Sequence, residues 1–255
     1  MNINDLKLVV ADLDGTLAES KSPMDLEMTI LLEELLKEYP IAIISGGSYQ
    51  QFKTQLLGSL PIPDELLEKL YLLPTSGTSL YKYFNKEWVQ IYSEELTFDE
   101  KKKIFNALDM CFKNVGFVIP EKPLYGDIVE DRGTQITFSA LGQRAPLNLK
   151  SKWDPNHLKR LEMIGILQQN LKDFSIKSGG TTSLDITIAG RDKSYGIAQI
   201  EKYLGFKKEN MVYLGDGLHP GGNDLAVKQA GVYCIETTGP TQTMEIIKNI
   251  LNGII

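Results

Sequence analysis

The chain has 255 residues, 42% of them apolar, and a formal net charge of −6 at pH 7. That allows one large α/β domain or two smaller ones and excludes the clustered positive surface that nucleic acid requires. Cys111 and Cys234 form no CxxC pair, so no disulfide framework and no zinc site of that spacing is expected, and a reducing, cytoplasmic setting fits. Asp5 and Lys7 interrupt the amino terminus and no later apolar run reaches spanning length, so neither export nor membrane insertion is expected.

The first element is an apolar strand, Leu8-Val9-Val10-Ala11, which ends in Asp12-Leu13-Asp14-Gly15-Thr16. Two acids at the carboxyl end of a buried strand lie where open parallel sheets bind ligands. Their spacing of two puts both on one face while strand geometry lasts, so that one can attack and the other can move protons. A simple capping turn is the competing reading. Ser22 as N-cap with Pro23 at the first helical position predicts a helix to about Tyr39, with Leu26, Ile30, Leu31, Leu35 and Leu36 at helical spacing. A second strand, Ile41–Ile44, ends in Ser45-Gly46-Gly47. The resulting βαβ unit is parallel and right-handed, so both strands end at one edge. There Ser45 and the glycine amides face an anion ahead of a helix over 50–57.

Leu70–Leu73 reads as a third strand, and beyond it buried runs give way to alternating ones, which sets a boundary near Tyr83. Thr97-Phe98-Asp99-Glu100 is a capping box for a helix to about Phe112. Thr134–Leu141 and Leu184–Ile188 alternate as half-exposed strands do, and Asp154-Pro155 opens a helix to about Leu171. The aromatic group Tyr81, Tyr83, Phe84 and Trp88 reads as hinge and cap packing rather than a base-stacking platform. From Lys193 the first style returns: a helix to Leu204, the strand Met211–Leu214, Gly215-Asp216-Gly217, a loop through Pro220-Gly221-Gly222-Asn223-Asp224, a last core strand over Gly231–Ile235 and a terminal helix. The fold class is therefore α/β, a Rossmann-like doubly wound parallel sheet over residues 1–83 and 189–255, with an α+β domain inserted over 84–188.

Asp12, Asp14, Asp216 and Asp224 come from two distant segments that both end strands of one sheet. Carboxylates gathered in this way repel unless a cation holds them, and all-oxygen ligands suit Mg²⁺. Lys193 supplies the fixed positive charge that a transferring phosphoryl group requires. His219, in the acidic loop, is a softer ligand than Mg²⁺ prefers, and His157 reads as structural or exposed.

Asp12-Leu13-Asp14-Gly15-Thr16, the strand ending in Ser45, Lys193, and Gly215-Asp216 through Asn223-Asp224 resemble the four motifs of the haloacid dehalogenase superfamily. The insertion between Ser45 and Lys193 is similar to the larger, C2-type cap of subfamily IIB, which contains sugar-phosphate phosphatases, and to that of eukaryotic-type phosphomannomutases. Pro220-Gly221-Gly222-Asn223-Asp224, Arg132, Arg144 and Ser183-Leu184-Asp185 resemble the mutases in particular. The resemblance implies that Asp12 forms an aspartyl-phosphate and that Asp14 protonates the leaving oxygen and then deprotonates the next acceptor. It also implies that Ser45, the Gly46 amide and Lys193 hold phosphoryl oxygens. Mg²⁺ would rest on Asp12, the Asp14 carbonyl and Asp216, supported by Asp224, while Arg132, Arg144, Ser183 and Asp185 contact the substrate from the cap.

A mutase needs strong, preferably bidentate, cap cations to hold its second phosphate. Counted from Arg132, the second clamp position is Gln143, and Arg144 is displaced by one residue, which on an alternating strand turns it to the other face. Arg160 and Arg191 are less specific. The leading expectation is thus a Mg²⁺-dependent phosphatase of a small phosphorylated metabolite, a sugar phosphate, under a mobile cap. The alternatives are a phosphomannomutase with a bisphosphate activator and a sugar-phosphate-binding module without turnover. Mutases of this kind pair through the cap, but no apolar stripe here demands a homodimer.

Overall fold

The computed structural model describes residues 2–59, 62–122 and 124–254. The chain divides into two compact units, one running to Ser93 and resuming at Arg191, the other spanning Glu94–Gly190. In the first, short apolar runs form β1 (Leu8–Ala11), β2 (Ile41–Ile44) and β3 (Leu70–Leu73), with α1 (Leu26–Glu38), α2 (Tyr49–Gln55) and α3 (Asp64–Leu67) between them. β4 (Ser79–Phe84) and β5 (Glu87–Ser93) follow as a hairpin. This hairpin moves the boundary from the expected Tyr83 to Ser93, because β4 pairs antiparallel with β3 and extends the same sheet. The aromatic group belongs to it: Tyr81 stacks on Tyr49 at 3.8 Å and Tyr83 meets Trp88 edge-on at 5.4 Å, both within this unit. Hinge packing is therefore not their arrangement.

The inserted unit carries α4 (Phe98–Val115), β6 (Val129–Asp131), β7 (Ile136–Ser139), α5 (Leu147–Trp153), α6 (Leu158–Asn170), β8 (Phe174–Gly179) and β9 (Ser183–Ile188). Its four strands run antiparallel in the order β6-β7-β9-β8. Ile136, Phe138, Leu184 and Ile186 point to one face, where Ile104, Leu108 and Phe112 of α4 and Met163 and Leu167 of α6 cover them. The alternate positions Thr137, Ser139, Ser183 and Asp185 are polar, as the period of a strand covered by helices on one side requires. The capping box of α4 is present, with Glu100 N donating to Thr97 Oγ1 and Thr97 N to Glu100 Oε2.

The chain then returns to the first unit through α7 (Lys193–Leu204), β10 (Met211–Gly215), α8 (Leu225–Gln229), β11 (Tyr233–Glu236) and α9 (Pro240–Leu251). The seven-stranded sheet has the order β11-β10-β1-β2-β3-β4-β5, parallel through β3. Val9, Ala11, Ile41 and Ile43 face α1 and α9, whereas Leu8, Val10, Ala42 and Ile44 face Ile197 and Ile200 of α7. Burial on both faces explains the continuous apolar runs. β11 is an edge strand, half exposed, rather than a core one.

The start of α1 also differs from expectation. Asp25, not Ser22, is the N-cap, its carboxylate accepting from Met28 N at 2.8 Å, because the preceding segment is tied elsewhere: Met24 N donates to the Gln55 carbonyl. The helix foreseen from Asp154 is α6, which begins only at Leu158, after a separate helix α5 that ends at Trp153, and Asp154 serves α6 by accepting from Lys159 N and from Arg160 Nε. Arg160 is fully buried as the counter-ion of Asp154, a structural role. Among the described residues no helix is long and apolar enough to cross a membrane.

One close approach seats α7 against the turn at Gly77. Gly77, at φ +87, lies against Gly196 so tightly that any Cβ would overlap that residue's backbone. Gly77→Ala should therefore destabilise the protein by about 1–3 kcal/mol, read as a lower midpoint in chemical denaturation.

Candidate active site

The parallel register carries the sequence motifs to one edge. Ala11 pairs with Leu214 and with Ile43, and Asp12 N continues the ladder to the Leu214 carbonyl at 2.9 Å. Asp12, Gly215-Asp216 and Ser45 therefore follow the ends of three adjacent strands, β1, β10 and β2. This is the edge at which a parallel α/β sheet presents ligand-binding groups.

Lys193, the first residue of α7, is buried, and its ammonium sits between two carboxylates, 2.7 Å from Asp12 Oδ1 and 2.6 Å from Asp224 Oδ1. Burial opposes the lysine's charge, but the two carboxylates outweigh it and raise its pKa. Burial raises Asp12 above the usual carboxylate range against the pull of Lys193, with Asp224 adding to the rise. Asp224 goes the other way: burial is overcome by the Lys193 charge and by hydrogen bonds from Lys193, Tyr213 and Gly217, so it stays ionised. Its Oδ1 accepts from Tyr213 OH at 2.5 Å and its Oδ2 from Gly217 N at 2.9 Å. Asp216 is half-buried and raised, chiefly by burial and then by Asp224.

Asp12, Asp216 and Asp224 bring one oxygen each within 4.8 Å of one another, a group able to hold a metal ion. The set is entirely oxygen, which suits a hard divalent cation such as Mg²⁺. Three carboxylates against one ammonium leave an excess of negative charge for it to neutralise. Gly15, at φ +81, permits this gathering because a Cβ there would run into the Asp216 carboxylate. His219 is exposed, its Nδ1 beside the Pro220 carbonyl and outside the carboxylate group.

The two donors to Asp12, Lys193 Nζ and Leu13 N, both fall on Oδ1, so Oδ2 is the oxygen available to react. Asp14 is half-buried, and its Oδ1 accepts from Lys21 N at 2.6 Å and from Gln55 Nε2 at 3.0 Å. Ser45 is buried and its Oγ accepts from Gly47 N at 3.0 Å, within the turn that leads to α2, and Gly46 is half-buried in the same turn.

The remaining predicted residues lie in the inserted unit. Ser183 Oγ is 2.7 Å from Ser139 Oγ, which also accepts from Gln143 Nε2 at 2.6 Å. Asp185 Oδ1 accepts from Thr137 and Gln135 at 2.8 and 2.9 Å. Arg132 forms an ion pair with Glu130 at 2.8 Å. Arg144 is exposed beside the turn at Gly126, and it is Gln143, not Arg144, that joins the polar serine pair; both lie in the turn after β7 rather than on an alternating strand. Arg191, in the first unit, lies over the Tyr195 ring at 4.1 Å.

Two further residues, Tyr213 and Gln55, bear on the site. A tyrosine in the otherwise aliphatic β10 was a signal, since a buried tyrosine hydroxyl needs a partner. Gln55, buried one turn from Phe52 on α2, was the other: a polar residue on a core-facing helical position.

The family model of eukaryotic phosphomannomutase matches residues 28–253. The chain belongs to the eukaryotic phosphomannomutase family. A phosphomannomutase of Encephalitozoon cuniculi is 27% identical over 252 residues, 95% of this chain and 93% of that protein. In fold, the chain is similar to a haloacid dehalogenase-like hydrolase from Bacteroides thetaiotaomicron, with a TM-score of 0.65, 18% identity, and coverage of 96% of this chain and 99% of that one. It is likewise similar to a C-terminally truncated IMP-nucleotidase of Plasmodium falciparum, with a TM-score of 0.75, 18% identity, and coverage of 98% and 72%. The protein is thus a haloacid dehalogenase-type enzyme of phosphoryl transfer.

Removing the ammonium should expose how much it holds together. Lys193→Met leaves buried carboxylates unpaired, and in chelator at pH 7 it should cost about 3–5 kcal/mol in a denaturation experiment. The loss should shrink at pH 5, because Asp12, whose folded-state pKa lies above the usual carboxylate value, then takes up a proton and sheds its charge.

Proposed function

We propose that this protein is a phosphomannomutase, exchanging a phosphoryl group between C1 and C6 of mannose phosphate through an aspartyl-phosphate on Asp12. The observation that carries this reading is the buried Asp12–Lys193 pair, which turns one carboxylate oxygen into an anchored group and leaves the other to attack, in a chain of this family. It replaces plain hydrolysis as the leading reading, since the family match spans nearly the whole chain.

In the proposed reaction, Asp12 Oδ2 attacks phosphorus of a hexose bisphosphate and the bond from phosphorus to the sugar oxygen breaks. Asp14 delivers a proton to that oxygen. When the sugar monophosphate next binds, Asp14 takes the proton from its free hydroxyl, which attacks the aspartyl-phosphate and regenerates Asp12. Lys193, Ser45 and the Gly46 amide hold the phosphoryl oxygens, so positioning and fixed charge carry most of the rate. Asp12, the Asp14 carbonyl and Asp216, supported by Asp224, would hold Mg²⁺, which when bound would supply further positive charge for the phosphoryl oxygens. From the cap, Arg132, Ser183 and Asp185 grip the non-reacting phosphate and the sugar.

A second reading, hydrolysis of a sugar phosphate, is favoured by one observation: the second clamp position holds the neutral Gln143 while Arg144 is exposed. A weaker grip on the second phosphate would let water compete with the returning sugar. Incubation with mannose 1-phosphate and Mg²⁺ separates the two. Mutase action gives mannose 6-phosphate only when a hexose 1,6-bisphosphate is added, whereas hydrolysis gives free phosphate regardless, and Asp12→Asn should abolish either product. Arg144→Ala should leave turnover within about twofold, as a surface substitution does, and a large loss would place Arg144 on the substrate.

A further inference from the structure

We propose that Gln55 is a positioning residue for proton transfer at Asp14, holding that carboxylate so that one defined oxygen meets the sugar oxygen. The inference rests on the acid and base role given to Asp14 above. Both donors to Asp14, Gln55 Nε2 and Lys21 N, fall on Oδ1. A carboxylate held twice through one oxygen cannot turn, and its other oxygen, Oδ2, is left to carry the proton. Proton transfer needs donor and acceptor within hydrogen-bond reach in a fixed direction, which a freely rotating aspartate at a strand end does not offer.

Gln55 is built to be rigid. It is 4% exposed, the same Nε2 also donates to the Ser22 carbonyl at 3.2 Å, and the Gln55 carbonyl accepts from Met24 N at 2.8 Å. The end of α2 thereby clasps the segment that follows Asp14. Within that segment Lys21 adopts φ +56, a left-handed conformation that side chains other than glycine seldom take, at the residue whose amide reaches Asp14. The carbonyl half of the Gln55 amide is a buried acceptor with no partner in the structure. An orphaned acceptor is a liability in a core position, and a leucine there would avoid it. The amide's N–H groups are what the position uses, one reaching Asp14 and the other the Ser22 carbonyl in the segment that follows it.

A residue that only ties the 20–24 segment in place would affect every substrate alike, whereas one that orients the acid matters most when the leaving oxygen needs a proton. The test is the single-turnover rate of Asp12 phosphorylation, followed by acid quench and mass spectrometry. One donor is glucose 1,6-bisphosphate, whose alcohol leaves with a proton. The other is p-nitrophenyl phosphate, whose phenolate leaves without one. Gln55→Leu keeps the volume and removes the donor; Gln55→Glu keeps the length and offers only an acceptor. For both, phosphorylation by the bisphosphate should slow by about tenfold or more, with p-nitrophenyl phosphate changed by less than about threefold. Asp14→Asn should show the same selective loss.

If Asp14→Asn is selective and the Gln55 variants slow both donors equally, or neither, Gln55 does not position the acid. If Asp14→Asn is itself unselective, the acid role of Asp14 falls and takes this inference with it. Unfolding midpoints accompany each variant: where one Gln55 variant is unfolded the other decides, and unfolding of both overturns the assignment in favour of a structural role.

Discussion

A single ammonium group, that of Lys193, ties together the two parts of the chain that make the site. It lies between Asp12, which follows β1, and Asp224, which closes the loop after β10, and all three side chains are buried. Two carboxylates so close could not both stay ionised in a core without it. Tyr213 and the Gly217 amide also donate to Asp224, so this acid is held on both oxygens. Asp12 is committed on one oxygen only. The asymmetry between the two acids, one held on both oxygens and one on a single oxygen, is what marks Asp12 as the candidate nucleophile.

Much of this was legible in residue order. The runs Leu8–Ala11, Ile41–Ile44 and Met211–Leu214 announce strands buried on both faces, and each is followed by the polar residues that meet at the edge. The four separated motifs could be assigned to one site because parallel strands joined by helices must end together. The start of α1 is ambiguous in the sequence because Ser22-Pro23 and Asp25 are both sound N-termini on their own. A tertiary bond from Met24 to α2 decides between them, and nothing local encodes it. The same holds for the boundary after β3, where the alternating pattern of the 79–93 hairpin resembles the inserted unit while its pairing partner is β3.

The inserted unit illustrates what a one-residue offset does. Gln143 and Arg144 are adjacent, yet Gln143 bonds into the serine pair and Arg144 is exposed beside the turn at Gly126. Both residues lie in the turn that follows β7, so charge count alone is a poor guide to what a binding face contains. Arg160 teaches the reverse lesson: a fully buried arginine whose guanidinium is consumed by Asp154 and the Gly180 carbonyl, an ion pair that organises the corner before α6.

The central claim is that Asp12 carries the phosphoryl group between donor and acceptor, and the most direct measurement is to catch it there. Protein treated with glucose 1,6-bisphosphate and Mg²⁺, quenched in acid and digested, should yield one phosphorylated peptide containing residue 12. Chasing the unquenched protein with mannose 1-phosphate should remove that label and place it on the sugar. A phosphoryl group found on another residue, or turnover of the sugar phosphate with Asp12 never labelled under single-turnover conditions, would contradict the account.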